Sequence, residues 1–375
     1  MKQNKVRAIA FYLPQFYPTP ENDEWWEPGF TEWTNVKRAR PLFKGHCQPR
    51  IPGILGYYDL RKVYVREQQV ELAREAGIEG FCYWHYWFAG RRLLDKVFSE
   101  VVDSGKPDYP FCLCWANHSW YKKTWDSTKP DTLLIEQTYP GVQDFINHFY
   151  AMLPAFKDKR YMKKDGKLIF GIFEPALFSS FPLMKKMWND LAIQNGLDGF
   201  YFFALAKGLR NIATIKEMNY DAIVYDHLPT LFLGNRLTYI QRAVLMIFHK
   251  PRVLDYNYYV LNTINHIKRH PEYTPCIIPN FDHSPRSSYK GVILHNNTPS
   301  QWEMLCREIS DILKAKESEQ LLFIKSWNEW GEGNYLEPDD KFGMEYIEAT
   351  QKGLQGNCSK TTEKPWLNIS PYGMT

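Results

Sequence analysis

The sequence predicts a (β/α)8 TIM barrel, an α/β fold built here as a single domain with long loops after some strands. Three observations support this fold class. Eight short apolar runs recur along the 375 residues, and segments with helical periodicity separate most of them. The chain also contains neither GxGxxG nor GxxxxGK[ST], the phosphate loops that the main alternative, an open doubly wound sheet, would usually carry after an early strand.

The eight runs are the predicted strands. Each is nearly continuous in apolar, aromatic and β-branched residues, as parallel strands are when both faces of the sheet are covered. In chain order they are residues 6–16, 77–88, 110–117, 167–175, 199–206, 222–228, 275–281 and 321–330.

The segments between the runs have the spacing of amphipathic helices. Residues 59–77 begin with Asp59, a suitable N-cap, and end at Gly77, a suitable residue just past a helix. Four further segments repeat apolar residues three or four positions apart, so that these residues share a face. The repeating sets are Leu93, Leu94, Val97, Phe98, Val101 and Val102; Phe145, Ile146, Phe149, Met152 and Leu153; Leu183, Met187 and Leu191; and Trp302, Leu305, Ile309 and Ile312.

One catalytic domain is expected over residues 1–355, followed by a polar, flexible tail over 356–375. Two long insertions, 17–58 and 228–275, follow the first and sixth strands, and loops of this length are usually functional. Within the second insertion, 237–250 (LTYIQRAVLMIFHK) predicts an amphipathic helix. We expect this helix to pack on the barrel, with membrane contact as the alternative.

Composition and motifs exclude several classes of function. The net charge is only +4, from 46 basic and 42 acidic residues, without a basic run, which argues against nucleic acid. Neither HExxH, CxxC nor an EF-hand spacing is present, so no metal or cofactor is predicted. The start of the chain has no long apolar segment, and most of the seven cysteines lie in apolar runs. We therefore expect no signal peptide, no transmembrane segment and a reducing, cytoplasmic setting.

The polar and aromatic residues near the strand ends indicate sugar recognition. In a barrel, the carboxyl ends of the strands meet at one face, where active sites form. Aromatic rings can stack on a sugar, while amides, carboxylates, histidine and arginine bind its hydroxyls. The candidate substrate-binding residues are Tyr12, Glu32, Trp33, Trp84, His85, Trp115, Asn117, Asp282, Arg286, Trp327 and Asn328.

Simpler interpretations exist for some of these residues. His85 could be a hydrogen-bonded core histidine, and Asp226 with His227 could form an interior salt bridge. The stretch 25–33 (WWEPGFTEW) could be a satellite hydrophobic cluster or a platform for a glycan.

The stretch 324–338 (IKSWNEWGEGNYLEP) carries the candidate catalytic residues, Glu329 and Glu332. Cleavage of a glycosidic bond commonly uses two carboxyl groups of different protonation. Indole walls and a neighbouring carboxylate both raise a carboxyl pKa, and Gly331 and Gly333 allow a tight turn. The alternative is a solvated turn of harmless charges. Glu337 is expected to close a loop or begin a capping arrangement.

Four sequence blocks together resemble one family. They are YLPQFYPTPENDEWWEPGFTEWTNVKRARPLF, GFCYWHYWF, CLCWANHSW and SWNEWGEGNYLEP. The combination resembles the WbsX-type proteins, which are labelled glycosyltransferases of lipopolysaccharide O-antigen biosynthesis and are also described as glycoside hydrolase family 99-like. The resemblance runs from about residue 6 to 350. The third block departs from the family, since it reads HSWYKKTW after WAN, where a charged residue often follows.

The resemblance implies a (β/α)8 enzyme that acts on α-mannosides within a chain, with retention and without a metal. It implies that Glu329 takes the proton of the sugar 2-hydroxyl, whose oxygen attacks the anomeric carbon and gives a 1,2-anhydro sugar. Glu332 would protonate the leaving oxygen and then deprotonate water or an acceptor. If the sugar carries a 2-acetamido group, Glu329 would orient that amide instead.

The expected function is therefore that of a carbohydrate-active enzyme working on a surface polysaccharide, such as an O-antigen or capsule, or on its lipid-linked precursor. Hydrolysis or transglycosylation is favoured over transfer from a nucleotide sugar, because the predicted barrel rim offers no evident diphosphate site. The alternatives are a glycosyltransferase of lipopolysaccharide biosynthesis and a non-catalytic glycan-binding barrel.

Overall fold

The structure, a computed structural model, describes residues 6–122, 131–208, 211–230 and 239–356. The predicted tail lies outside the described residues, apart from Gly356.

Eight parallel strands close into a barrel. Each strand pairs with the next in chain order, and the last also pairs with the first, with Val6 opposite Gln320. The strands are β1 (Val6–Tyr12), β2 (Gly80–Phe88), β3 (Phe111–Trp115), β4 (Lys167–Ile172), β5 (Phe200–Ala206), β6 (Ala222–Asp226), β7 (Thr274–Ile277) and β8 (Gln320–Ile324). The predicted TIM barrel is confirmed, because an open sheet would leave two unpaired edges.

In the described part of the chain, an outer helix follows each strand. These helices are α1 (Val63–Glu75), α2 (Lys96–Ser104), α3 (Val142–Phe156), α4 (Phe181–Gln194), α5 (Ile212–Glu217), α6 (Tyr256–Arg269), α7 (Pro299–Lys314) and α8 (Glu345–Gln355). The loops contain the short helices Pro20–Trp25, Glu32–Arg38, Tyr239–Ile247 and Ser284–Ser287, and the 3-10 turns Pro175–Leu177, Ser288–Lys290 and Trp330–Glu332. They also contain the short strands Arg91–Leu93, Trp120–Lys122, Thr132–Ile135, Lys163–Lys164, Arg252–Asp255, Val292–His295, Asn328–Glu329 and Asn334–Tyr335.

Local chemistry explains how the helices begin and end. α7 begins with Thr298 and Gln301 in a capping box and a proline in its first turn. α1 ends before Gly77, whose φ of +77° is the left-handed conformation that glycine adopts readily. The prediction of Asp59 as N-cap was wrong: Lys62 occupies that position, and Asp59 instead accepts hydrogen bonds from Arg61.

Two predicted helix faces differ from the observed faces. The set predicted for α2 included Leu93 and Leu94, but Leu93 ends the strand Arg91–Leu93 and Leu94 has a φ of +52°, before the helix begins. In α4 the sequence indicated Leu183, Met187 and Leu191, but Leu183 is 46% exposed. The helix buries a neighbouring stripe that includes Met184 and Trp188. The larger Trp188 fixes the rotation of the helix, since its indole N–H donates to the Phe145 carbonyl in α3 at 3.0 Å.

The helix of the second insertion, Tyr239–Ile247, was expected to pack its apolar side on the barrel. The structure does not show this for its C-terminal end: Ile247 and the following Phe248 are 72% and 67% exposed. Within the described ranges, no helix combines the length and the apolar character needed to cross a membrane.

Candidate active site

A cavity of about 720 Å³ opens where the carboxyl ends of the strands meet. One part of its lining, here called the aromatic wall, comes from the first insertion and from β2 and the loops after β3 and β4. The aromatic wall contains Trp25, Trp26, Phe30, Trp84, Tyr86, Trp120, Tyr121 and Phe173. The other part, here called the charged cluster, contains Glu32, His283, Arg286, Lys325, Glu329 and Glu332.

The loop after β8 presents the two candidate catalytic carboxyls. Asn328–Glu329 pairs antiparallel with Asn334–Tyr335, and the 3-10 turn between them carries Glu332. The Asn328 amide exchanges two hydrogen bonds with the Leu13 backbone, at 2.7 and 3.1 Å, and ties this hairpin to the end of β1. The Asp282 backbone N–H donates to the Glu332 carbonyl at 2.7 Å and ties it to the loop after β7.

Both glycines of the hairpin are required, for different reasons. Gly333 has φ +54°, and a Cβ there would lie 2.7 Å from the Asp282 Cβ. A Cβ at Gly331 would overlap Glu32 Oε2 and lie 2.9 Å from Arg286 Nε. The sequence predicted a tight turn at both positions. Gly331 does lie in the 3-10 turn, but glycine is needed there to leave room for the ion pair of Glu32 with Arg286.

Arg286 connects three carboxylates. Its Nη1 donates to Glu332 Oε1 at 2.6 Å and lies 3.6 Å from Glu329 Oε1. Its Nη2 and Nε donate to Glu32 Oε2 at 3.0 and 3.2 Å. One cation thus draws together carboxylates from the loops after β1 and β8, which would otherwise repel each other.

The two candidate catalytic carboxyls have opposite pKa shifts. Burial raises the pKa of Glu329 to about 7, and the charge of Glu332 acts in the same direction. Burial alone would also raise the pKa of Glu332, but Arg286, followed by Lys325, outweighs it and lowers that pKa to about 2. Below about pH 7 these shifts place a proton on Glu329 and the negative charge on Glu332.

Lys325 is the second cation of the charged cluster. Its Nζ lies 3.3 Å from Asp226 Oδ2, and both side chains are buried. This finding corrects the interior salt bridge suggested between Asp226 and His227. His227 instead contacts the Cys276 carbonyl and His266.

Glu337 is separate from the cavity. It is buried and accepts hydrogen bonds from Tyr58 Oη at 2.9 Å, Gln69 Nε2 at 2.6 Å and Trp330 Nε1 at 2.6 Å. Burial raises its pKa to about 7. The expectation that Glu337 closes a loop is correct only in part, since it is an internal anchor for Trp330 and not a surface residue.

Five of the predicted site residues line the cavity: Glu32, Trp84, Arg286, Glu329 and Glu332. The other eight lie outside its lining in this structure. These eight are Tyr12, Trp33, His85, Trp115, Asn117, Asp282, Trp327 and Asn328.

The main reason is alternation along the strands. Successive strand side chains point to opposite faces of the sheet. Trp84 and Tyr86 reach the cavity, whereas His85 points outward, where its Nε2 lies 2.7 Å from His148 Nε2 of α3. His85 is therefore the core histidine of the simpler interpretation. Trp115 is likewise buried outside the cavity lining, and its indole N–H donates to the Trp87 carbonyl.

The remaining residues of this group hold loops in place. Tyr12 donates to Gln69, and Trp33 donates to the Tyr58 carbonyl. Asn117 binds the Glu174 backbone, and Asp282 accepts from His46 and Gln48. Asn328 ties the catalytic hairpin to β1, and Trp327 is fully buried.

Several cavity residues were not among the predicted site residues. Trp25, Trp26 and Phe30 belong to the stretch whose two interpretations were left open, and the structure places them on the cavity. Trp25 packs edge-on against Trp120, with ring centroids 5.9 Å apart, so the first insertion and the loop after β3 build one wall. Lys325 gave no signal, because it follows an apolar run like any strand-end lysine.

Fold and site together define a (β/α)8 barrel with a pair of carboxyls, one buried and one partly exposed, in a partly aromatic cavity. The family described as "Glycosyltransferase WbsX" matches residues 8–350, and the chain belongs to this family. Protein WxcX from two strains of Xanthomonas campestris pv. campestris is 35% identical over 359 residues, which are 95% of this chain and 50% of WxcX. The chain thus spans about half the length of the curated relatives it matches.

Solved structures share the fold at low sequence identity. A glycoside hydrolase-like protein aligns with TM-score 0.58 and 15% identity, covering 94% of this chain and 95% of that one. The GH99 endo-alpha-mannosidase from Bacteroides thetaiotaomicron aligns with TM-score 0.56 and 12% identity, covering 93% and 96%. These likenesses confirm the barrel and connect it to glycoside hydrolases in fold.

Proposed function

We propose that this chain is a carbohydrate-active enzyme that acts on glycosidic bonds of a surface polysaccharide or of its lipid-linked precursor, as a retaining glycoside hydrolase or transglycosylase. The observation that carries the proposal is that Glu329 and Glu332 line one cavity, 3.6 and 2.6 Å from Arg286 Nη1, with pKa values shifted in opposite directions. Acid–base chemistry at a glycosidic oxygen needs this state, one carboxyl protonated and one ionised. The aromatic wall beside the pair suits the apolar face of a sugar ring.

The proposed reaction follows the roles that the resemblance implies. Glu329 takes the proton of the 2-hydroxyl, and O2 forms a bond to the anomeric carbon while the bond to the leaving oxygen breaks. Glu332 gives its proton to that oxygen. It then takes a proton from water or an acceptor hydroxyl, whose oxygen bonds to the anomeric carbon while the bond from that carbon to O2 breaks. Glu329 returns its proton to O2, and both carboxyls regain their starting states.

The pKa shifts place the proton on Glu329, so these roles require that it move from Glu329 to Glu332 when the substrate binds, and the roles can be separated by experiment. A substrate with an acidic phenol as leaving group needs no proton on the leaving oxygen. We expect Glu332→Gln to keep much of its activity on such a substrate and Glu329→Gln to lose it. The opposite result would make Glu329 the acid. Measurement of kcat/KM on matched alkyl and aryl glycosides checks this.

Transfer from a nucleotide sugar is the second candidate, since the family name indicates glycosyl transfer. The charges of the cavity argue against it. Among the described residues, its lining contains one arginine, Arg286, and one lysine, Lys325, and each is ion-paired with carboxylates. A diphosphate would have to displace these carboxylates. We therefore favour hydrolysis or transglycosylation.

Incubation of the purified protein with dye-labelled glycan pools, with and without nucleotide sugars, tests the choice. Products without a nucleotide sugar are expected. Turnover only when a nucleotide donor is added would replace our proposal with the transferase. Binding without turnover, unaffected by Glu329→Gln and Glu332→Gln, would instead indicate a glycan-binding barrel.

A cytoplasmic location remains part of the proposal and is supported by the unpaired cysteines of the apolar runs.

A further inference from the structure

The Arg286 guanidinium is divided between two sides of the cavity. Two of its nitrogens bind one oxygen of Glu32, and Nη1 is left for the catalytic pair. Nη1 is 2.6 Å from Glu332 but 3.6 Å from Glu329. Because the guanidinium is planar and rigid, the bonds to Glu32 fix the direction in which Nη1 points.

Glu32 is itself held in one place. It is the first residue of the helix Glu32–Arg38, where a carboxylate is stabilised by the helix dipole. Gln15 Nε2 donates to its other oxygen at 2.7 Å. Gly331, in the turn between the two catalytic carboxyls, leaves the space that the Glu32 carboxylate occupies. Three separate parts of the chain thus build one position for this side chain.

We propose, on the basis of the function proposed above, that Glu32 is a positioning residue that acts through Arg286: it directs Nη1 to Glu332 and so decides which carboxyl of the catalytic pair keeps the negative charge. The first insertion then does more than supply the aromatic wall. It also sets the charge distribution of a hairpin almost three hundred residues further along the chain.

Other charged groups face the pair from other strands. Lys325 with Asp226 and Lys207 with Glu174 approach from β8, β6 and the loops after β5 and β4, and His283 Nε2 lies 3.8 Å from Glu332. Glu32 is not bonded to any of these groups in the described structure. A change at Glu32 therefore reaches the pair mainly through Arg286.

The test is the pH dependence of kcat/KM, which reports the ionisations of the free enzyme, in wild type and Glu32→Gln. Without the Glu32 charge, Arg286 is free to move between Glu329 and Glu332. The high-pH limb of the kcat/KM profile, set by Glu329, should move to lower pH, and the low-pH limb, set by Glu332, should move to higher pH. Each should move by about one unit, so that the pH range of activity becomes narrower. Gly331→Ala should narrow the profile in the same way, since its Cβ displaces the Glu32 carboxylate.

Two other outcomes would overturn the inference. If the lost negative charge acted only by Coulombic repulsion, the pKa values of both carboxyls would fall, and both limbs of the profile would move to lower pH. A purely structural effect scales the profile down without moving either limb. Glu27→Gln is the matched control: it removes the same charge from the same insertion, where Glu27 pairs with Arg38 at 2.7 Å outside the cavity lining. Its profile should equal that of wild type.

A second measurement does not need turnover. Carbon-13 NMR of glutamate-labelled protein follows the carboxyl titrations directly, with the two signals assigned from Glu329→Gln and Glu332→Gln. Converging titrations in Glu32→Gln without glycan turnover would refute the proposed function but keep the inference. An active enzyme with titrations unchanged in Glu32→Gln would refute only the inference.

Discussion

Glu337 and the pair Glu329 and Glu332 lie within nine residues of one another. Glu329 and Glu337 are buried and the Glu332 side chain is 16% exposed, but the main difference lies in their surroundings. Glu337 is surrounded by neutral donors, a phenol, an amide and an indole. The pair shares the cation Arg286 and opens to a cavity. The comparison shows that burial is the leading cause of a raised carboxyl pKa in both Glu337 and Glu329, with the charge of Glu332 added only for Glu329. A cation and access to the cavity separate a reactive group from a structural anchor.

Removal of the reactive pair should give the largest effect. Glu329→Gln and Glu332→Gln should each lower kcat/KM on a natural glycan by about a thousandfold, the usual scale of general acid–base catalysis. The melting temperature of Glu329→Gln should stay the same or rise, because burial disfavours a charged carboxylate at that position. The melting temperature of Glu332→Gln should fall, because the variant loses the ion pair with Arg286 at 2.6 Å. Glycan affinity, measured by calorimetry, should be retained. A variant that loses binding and activity together would show that these residues only bind.

Removal of the anchor should reverse this pattern. Glu337→Ala leaves the buried donors of Tyr58, Gln69 and Trp330 without an acceptor, which should lower the free energy of unfolding by about 3 kcal/mol. Activity of the folded protein should fall about tenfold or less, because Trp330 in the catalytic hairpin loses only one of its contacts. Urea denaturation measures the first quantity. An inactive but equally stable variant would show that Glu337 takes part in catalysis and is not a structural anchor.

The fold was predictable from the sequence because parallel strands covered on both faces are continuous apolar runs. All eight runs overlap a strand, but their ends were less certain. The last run, 321–330, continues through Trp327 and Trp330 beyond the end of β8 at Ile324. The indoles that make the hairpin apolar in sequence are packed inside it, and composition alone does not separate that hairpin from a strand.

The site was only partly predictable. Its position was indicated, since residues after the strands of a barrel meet at one face. Which of them face the cavity depends on the alternation along each strand, and a run such as Trp84, His85 and Tyr86 does not reveal its phase when all three are aromatic. The partnership of Arg286 with Glu32 spans 254 positions, and no local pattern connects them.

The pH dependence of the free energy of unfolding compares Glu329 with Glu337 directly, and the expected change is smaller than those above. The pKa values of Glu329 and Glu337 are both raised from 4.5 to about 7, so the native state binds these protons more tightly than the unfolded chain. Their contribution to stability is complete below about pH 4.5 and is lost as the pH rises to about 7, a change on the order of 1–3 kcal/mol for each group. Glu332, with its pKa lowered to about 2, acts in the opposite direction and only in acid, as the pH falls from 4.5.

The slope of unfolding free energy between pH 5 and 7 is therefore the measurement that compares the two raised groups. Glu329→Gln and Glu337→Gln should each flatten that slope by a similar amount, because burial is the leading cause of both shifts. Glu332→Gln should flatten it in part, since the Glu332 charge adds to the upward shift of the Glu329 pKa. If Glu337→Gln flattened the slope and Glu329→Gln did not, Arg286 would already hold Glu329 ionised near neutral pH, and the single proton that the proposed chemistry needs would have to lie elsewhere.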